Sequence, residues 1–274
     1  MRIGFIGVGN MGEAILRGAL RGGVVQADEI LAFDVYAPKL QALQKELGVA
    51  ICGSTEVLIT KADIILLAVK PHICAEVFAE NATAFSNKAL ISIAAGWSQK
   101  RLADALPAST RILRVMPNTP ALVGDGMSVF ERGDTLEAGE RAFAVKLFSS
   151  IGRVAEVESH LMDAVTAVSG TGPAYVYLFI EALADGGVRE GLPRAQAYEL
   201  AAQTVLGSAK MVLETGLHPG KLKDNVCSPG GTTIEAVAAL EEHGLRAAVL
   251  AGVKACADKS LSLIHISEPT RLRR

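Results

Sequence analysis

The 274-residue chain sets 27 Lys and Arg against 29 Asp and Glu, a net charge of −2, so it has no basic field for a phosphodiester backbone, and no Lys/Arg run interleaves with aromatics. Half of its residues are hydrophobic, enough to fill about two ordinary domains, yet the longest apolar run, DIILLAVKP at 63–71, is too short to span a bilayer. Nucleic acid and membrane are thereby excluded as expected partners.

The opening MRIGFIGVG has no charged leader, apolar h-region or small-residue cleavage site, which predicts a cytoplasmic protein. Cys52, Cys74, Cys227 and Cys256 stand far apart without CxxC spacing or neighbouring histidines, so neither a disulfide framework nor a metal site is expected. Cys227 reads as a small hydrophobe or, beside a glycine-rich loop, as a reactive thiol. The abundance of Ala, Gly and Val with few aromatics suits close helix packing and a buried subunit interface, hence a homo-oligomer.

From residue 2, β-rich runs alternate with helical ones: RIGFIG then MGEAILRGALRGG, EILAFD then APKLQALQKELG, VAIC then STEVLITKA, DIILLAVK then HICAEVFAEN. ALISIAAG, SQKRLADALP and TRILRVMPN continue the series, and after GMSVFERG come a helix, TLEAGERAFAVKLFSSIG, and a last strand, RVAEVE. This βαβ alternation predicts an α/β fold with a parallel, doubly wound sheet. Pro38 suits a helix N1 position, Ser98 an N-cap and Gly48 a C′ position.

Beyond about residue 160 the strand signals stop. AYVYLFIEALADGGVREG, RAQAYELAAQTVLGSAKMVLETG and TTIEAVAALEEHG have helical periodicity, predicting an all-α second domain over 159–260 after a nucleotide-type domain over 1–158. The last fourteen residues, 261–274, LSLIHISEPTRLRR, break from the Ala-rich helix before them and read as a translated sequencing adapter. His265 therefore carries no functional weight.

GVGNMG places Gly7, Gly9 and Gly12 in GxGxxG spacing after a strand and at the head of a helix. Gly7 permits the tight turn, Gly9 leaves room for a pyrophosphate, and Gly12 lets helix and strand pack closely, while the helix amides and dipole face the phosphates. Ile6, Val8, Asn10 and Met11 complete this candidate cofactor loop. Asp34 ends the second strand, where a carboxylate can accept hydrogen bonds from the adenosine ribose and repel a 2′-phosphate; it can equally cap the following turn, and Lys39 lies close by. Ala68, Val69, Lys70 and Pro71, and then Ala94, Ala95 and Gly96, fall at strand ends facing the same crevice. Lys70 reads either as a cofactor contact or as a solvated strand end.

A second glycine loop lies at 218–236, HPGKLKDNVCSPGGTTIEA. Thr232 and Glu235 have capping-box spacing, and Pro229 with Gly230 and Gly231 makes the preceding turn. That accounts for Thr232 but leaves the Thr233 hydroxyl uncommitted at N1, beside the amides of Gly230, Gly231 and Thr232, a small-anion site suited to a carboxylate. SGTGPAY at 169–175 breaks two helical runs with Pro173 at N1; Ser169 and Gly170 there either mark a helix break or come close to a ligand.

Together GFIGVGNMGEAI, AVKP, MPNTP, SGTGPAY, GLPRAQAY and HPGKLKDNVCSPGGTTIEA resemble the pyrroline-5-carboxylate reductases, over residues 1 to about 260. The resemblance implies a Rossmann domain followed by a helical dimerisation domain, with active sites at a dimer interface and dimers often assembled into larger rings. It implies NADPH or NADH held by Gly7–Met11 and Ala68–Pro71, and a substrate carboxylate held by Gly230–Thr233, with Thr233 near the ring nitrogen. Many members prefer NADPH with small polar residues after the second strand. Asp34 departs from that pattern and leaves the preference open.

The chemistry agrees with what the loops lack. An alcohol dehydrogenase needs a His or Lys to move the hydroxyl proton, whereas a protonated cyclic imine is already electrophilic. Such an imine asks only for C5 to be held against the nicotinamide and water excluded. His218, before Pro219, reads as a turn residue more readily than as a proton donor. A β-hydroxyacid dehydrogenase would share the GFIGxGNMG start but needs a lysine on the helix after Pro173, which has none before Arg189. A non-catalytic NAD-binding regulator would have no need of the SPGGTT loop.

Overall fold

The computed structural model describes residues 1–266, with side chains through Ser262. Short aliphatic runs form the centre of its sheet. Ile3–Ile6 (β1), Ile64–Leu67 (β4) and Ala89–Ser92 (β5) are buried at every position, because helices cover both faces and an alternating polar pattern would leave unpaired polar groups inside. Ile3 and Phe5 pack with Ile64 and Leu66 on one face; Ile6, Ile65 and Leu67 pack with Leu58, Phe78 and Phe85 on the other. Each such side chain contributes about 1.5–3 kcal/mol of burial.

The remaining strands are Ile30–Phe33 (β2), Ala50–Ile51 (β3), Arg111–Met116 (β6), Gly126–Glu131 (β7) and Gly152–Val157 (β8), and the sheet runs β3-β2-β1-β4-β5-β6-β7-β8. Helices Asn10–Arg21 (α1), Ala37–Leu47 (α2), Thr55–Lys61 (α3), Pro71–Asn81 (α4), Gln99–Ala105 (α5) and Ala138–Ser149 (α6) connect them. Ser98 caps α5, its Oγ accepting from the Arg101 amide at 3.2 Å, and Gly48 ends α2 at φ 74°. Pro38 falls one position later than expected, second in α2 after the N-cap Tyr36.

One neighbour pair departs from the all-parallel expectation. β6 and β7 are antiparallel, with Val115 opposite Phe130 and Met116 opposite Val129. Only residues 117–125, with a 3₁₀ turn at Thr119–Val123, join the two strands. That is too little chain for a helical crossover, so the strand must fold back. β8 then returns parallel to β7 by way of α6.

Contacts divide the chain into two units, 1–171 with 256 onward, and 172–255. The first unit therefore runs past the end of the sheet at Val157 and includes Met162–Val165 (α7) and a π-helical turn, Thr166–Gly170. The second contains Gly172–Arg189 (α8), Arg194–Thr215 (α9), Pro219–Val226 (α10), Thr232–Glu242 (α11) and the first part of Leu245–Ile266 (α12). Pro173 is the second residue of α8. Within this unit α8 and α9 pack through the small buried residues Ala184, Ala197 and Ala201.

α12 continues through Ile266, which corrects the expectation that the helix stops before residue 261: LSLIHI contains no helix breaker, and the first proline is Pro269. The rest of the adapter-like stretch, 267–274, and the side chain of His265 lie outside the described residues. Among those described, no helix is long and apolar enough to cross a membrane.

Candidate functional site: a dinucleotide cleft and a carboxylate turn

The strand order reverses between β1 and β4, and a cleft of about 920 Å³ opens there at the carboxyl ends of the strands. Each glycine of the first loop does a separate physical job. Gly7 turns at φ 92°, and a Cβ there would lie 2.7 Å from the Ala68 carbonyl oxygen. A Cβ on Gly12 would meet the Gly7 carbonyl oxygen at 2.4 Å, so α1 reaches β1 only because this residue is glycine. Gly9, the N-cap of α1, has open space where a side chain would stand. The residues thus fit a pyrophosphate: the backbone is bare at Gly9, and α1 begins directly behind it.

Ile6, Gly7, Gly9, Asn10, Met11, Asp34, Ala68, Val69, Lys70, Pro71, Ala94 and Ala95 all line the cleft. Val8, Gly12 and Gly96 are not among the lining residues; the Val8 side chain is fully buried, and Gly96 turns the chain at φ 72°. Sequence reasoning did not single out Thr55, at the head of α3, or Glu76 and Glu80 on α4, which also line the cleft with Met116 and Pro117. A βαβ unit places a helix start beside the crevice, which could have flagged Thr55; the two glutamates look like an ordinary solvent face.

Asp34 has two fixed contacts. Its Oδ2 accepts the Val8 amide at 2.8 Å and its Oδ1 the Tyr36 amide at 2.9 Å, tying the glycine loop to the turn after β2. Lys39 is not paired with it: Lys39 Nζ lies 2.8 Å from Glu13 Oε2. Behind the far wall, Trp97 Nε1 donates to the Pro71 carbonyl at 2.9 Å, and the Arg101 guanidinium lies 3.7 Å above the indole ring.

Ser169 and Gly170 belong to the π-helical turn in the same unit. The Ser169 hydroxyl donates back to the Val165 carbonyl at 3.1 Å, while its own carbonyl accepts from Asn118 Nδ2 at 3.0 Å. Asn118 Oδ1 accepts the Met127 amide at 2.8 Å, so the MPNTP segment is bridged to the turn. A Cβ on Gly170 would come 3.8 Å from the sulfur of Met116, a cleft residue. Single π turns recur at functional sites because they re-aim one turn of a helix.

The second glycine loop lies in the other unit and is described by itself. The Gly231 amide donates to the Ser228 carbonyl at 3.0 Å, with Pro229 and Gly230 between them and Gly230 at φ 66°, the residues a type II turn asks for. Gly231, with φ −83° and ψ 169°, is the N-cap of α11, which corrects the expected capping box. Thr232 is already helical, and a helical residue cannot reach back to the second or third amide, so Thr232 stands at N1 and Thr233 at N2. Neither hydroxyl is hydrogen-bonded within the described residues, and the first amides of α11 have no side-chain cap. His218 is occupied as the N-cap of α10, its Nδ1 accepting the Gly220 amide at 3.0 Å.

Among the described residues no group of His, Cys, Asp and Glu is arranged to hold a metal ion. Burial pushes the Cys74 thiol up to about 12, which suits a hydrophobic packing residue rather than a nucleophile.

Comparison with known proteins agrees with this geometry. Residues 159–263 match the family model for pyrroline-5-carboxylate reductase dimerisation, and residues 2–96 match that for NADP oxidoreductase, coenzyme F420-dependent. The chain is 47% identical to a pyrroline-5-carboxylate reductase of Escherichia coli, across 96% of this chain and 98% of the relative. It is 45% identical to one of Methanosarcina acetivorans, across 96% and 97%. A solved pyrroline carboxylate reductase of Plasmodium falciparum with NADP bound superposes with a TM-score of 0.86 at 34% identity, over 96% of this chain and 98% of the other. A helical region that matches the dimerisation model, joined to a dinucleotide-type sheet and related to these enzymes over nearly its whole length, means that the chain belongs to the pyrroline-5-carboxylate reductase family.

Proposed function

We propose that the chain reduces 1-pyrroline-5-carboxylate to L-proline, the last step of proline biosynthesis, as a self-associating cytoplasmic enzyme. Bound NADPH or NADH supplies the hydride that C5 of the imine ring accepts. Gly7–Met11, Ala68–Pro71 and Ala94–Ala95 are assigned to the dinucleotide. Gly230–Thr233 are assigned to the substrate carboxylate, with Ser169 and Gly170 near the ring. The observation that carries this reading is the turn at 228–233. It begins a helix whose first amides have no cap and whose two threonine hydroxyls are uncommitted, which is a site for a small anion.

The protein's work is then positioning. The Gly231 amide is used in the turn, so the amides of Thr232 and Thr233 at the head of α11 hold the carboxylate, the Thr233 hydroxyl meets the ring nitrogen, and orientation of C5 supplies most of the acceleration. No general base is needed, and His218 is engaged as a helix cap. A β-hydroxyacid dehydrogenase would place its lysine on α8, which has none. Self-association is supported by the match to a dimerisation family and by side chains such as Tyr177, Leu178 and Leu206, each more than half exposed on α8 and α9.

Purified protein mixed with pyrroline-5-carboxylate and reduced dinucleotide should consume the reduced nicotinamide and yield proline. No consumption with either dinucleotide overturns the proposal. Turnover of a β-hydroxy acid with oxidised dinucleotide would instead favour the dehydrogenase reading.

A further inference from the structure

We infer that the cleft selects NADH over NADPH, and that Asp34 is the residue that sets the selection. The inference deepens the functional reading above by naming its coenzyme, and it rests on that reading only for the identity of the hydride acceptor.

The Asp34 carboxylate is held at the end of β2 by one amide on each oxygen, Val8 at 2.8 Å and Tyr36 at 2.9 Å. Each oxygen keeps a lone pair, and the residue lines the cleft. That is where an adenosine ribose 2′-hydroxyl can donate, and where a 2′-phosphate would meet a fixed negative charge.

The cations that could offset that charge are committed elsewhere. Lys39 pairs with Glu13 at 2.8 Å. Arg17 bonds Glu13 at 2.7 Å and both oxygens of Glu46 at 2.6 and 2.7 Å. Two cations and two carboxylates cancel, so this cluster presents no net positive charge to a phosphate. The charged residues that line the cleft are three carboxylates, Asp34, Glu76 and Glu80, and one ammonium, Lys70. Glu76 and Glu80 are exposed and strongly screened, whereas Asp34 is half-buried and held by the backbone, so it carries most of the discrimination.

Binding can be read without turnover. Trp97 is the chain's only tryptophan, and its indole is bonded to the cleft residue Pro71, so energy transfer from it to a bound reduced nicotinamide reports occupancy. The wild-type protein should bind NADH about 10- to 100-fold more tightly than NADPH, the range expected of a half-buried like-charge contact. Raising the salt concentration should narrow the gap only in part. Asp34→Ser should bring the two dissociation constants within about threefold, mostly by strengthening NADPH binding. Asp34→Asn keeps the shape and one carbonyl acceptor but removes the charge, and should move the ratio in the same direction.

Wild type binding NADPH as tightly as NADH, or more tightly, overturns the inference with no variant needed. It is also overturned if both variants weaken the two dinucleotides equally, since Asp34 would then only brace the glycine loop. A protein that prefers NADH yet leaves pyrroline-5-carboxylate untouched would refute the functional reading and leave this one standing.

Discussion

Replacing Glu131 by leucine would strand a guanidinium inside the sheet. Arg114 and Glu131 are 4% and 2% exposed, with Arg114 Nη1 2.9 Å from Glu131 Oε2. They face each other one position out from the Val115–Phe130 pair, at the antiparallel join. The other carboxylate oxygen accepts from Ser159 Oγ at 2.6 Å. Breaking a buried pair by deleting one partner costs about 3–5 kcal/mol, and the lost acceptor for Ser159 adds about 1 kcal/mol. For a unit of this size that is a fall in Tm of about 10–20 °C.

The double variant Arg114→Met/Glu131→Leu removes both charges at once and should return to within about 1–2 kcal/mol of wild type, because the desolvation cost disappears along with the attraction. Trp97 lies in the same unit, so denaturant unfolding followed by its fluorescence reads the region concerned. If Glu131→Leu costs less than about 1 kcal/mol, the pair is not desolvated as described. If the double variant is as unstable as the single one, the charges are not compensating each other.

Two further outcomes follow from the geometry. Thr233→Ala removes a hydroxyl that bonds nothing among the described residues, so stability should change by less than about 0.5 kcal/mol. Imine turnover should fall about 10- to 100-fold, as expected for a lost hydrogen bond to a charged ligand, with dinucleotide affinity unchanged; wild-type kinetics would rule out a substrate role. The paired hydrogen bonds from Arg111 hold the Glu140 carboxyl below its ordinary value of 4.5. A depressed folded value means that this contribution is present in full above about pH 4.5 and is lost as the pH falls through the folded value. Glu140→Gln should therefore lower stability at neutral pH and flatten the acid limb of a stability profile measured by Trp97 fluorescence; an unchanged acid limb would mean that the pair contributes nothing.

The alternation of aliphatic and helical runs was enough to read the doubly wound sheet, because in a parallel sheet each strand is buried on both faces and stands out as a continuous apolar block. GVGNMG was readable for a related reason: only glycine satisfies the φ of Gly7 and the contact of Gly12. Strand partners were harder. GMSVFERG has the composition of a strand in either direction, and only the length of the 117–125 connection decides for antiparallel. The π turn was hidden because its residues have ordinary helical composition; it depends on the Thr171 amide reaching the Thr166 carbonyl, five residues back, at 2.9 Å. The capping box failed by one residue because the 228–231 turn, rather than the Thr-x-x-Glu spacing, sets where α11 begins. Glu76 and Glu80 were passed over because a charged helix face gives no sign of what lies across from it.

The chain leaves its first unit at Thr171 and re-enters it at Cys256, where the Thr171 hydroxyl and the Cys256 sulfur are 3.3 Å apart, and Ser260 Oγ then donates to Asp163 at 2.5 Å. Synthesis runs in one direction, so the order of translation differs from the order in which the units can be completed. The sheet and its glycine loop emerge first and can fold early, but α7 and the π turn wait for the last part of α12. By then all of residues 172–255 have been made. The turn assigned to the substrate is thus made before the coenzyme-binding unit receives its last stretch of helix, and a ribosome stalled near residue 255 would have synthesised all of the second unit while the first was still unfinished.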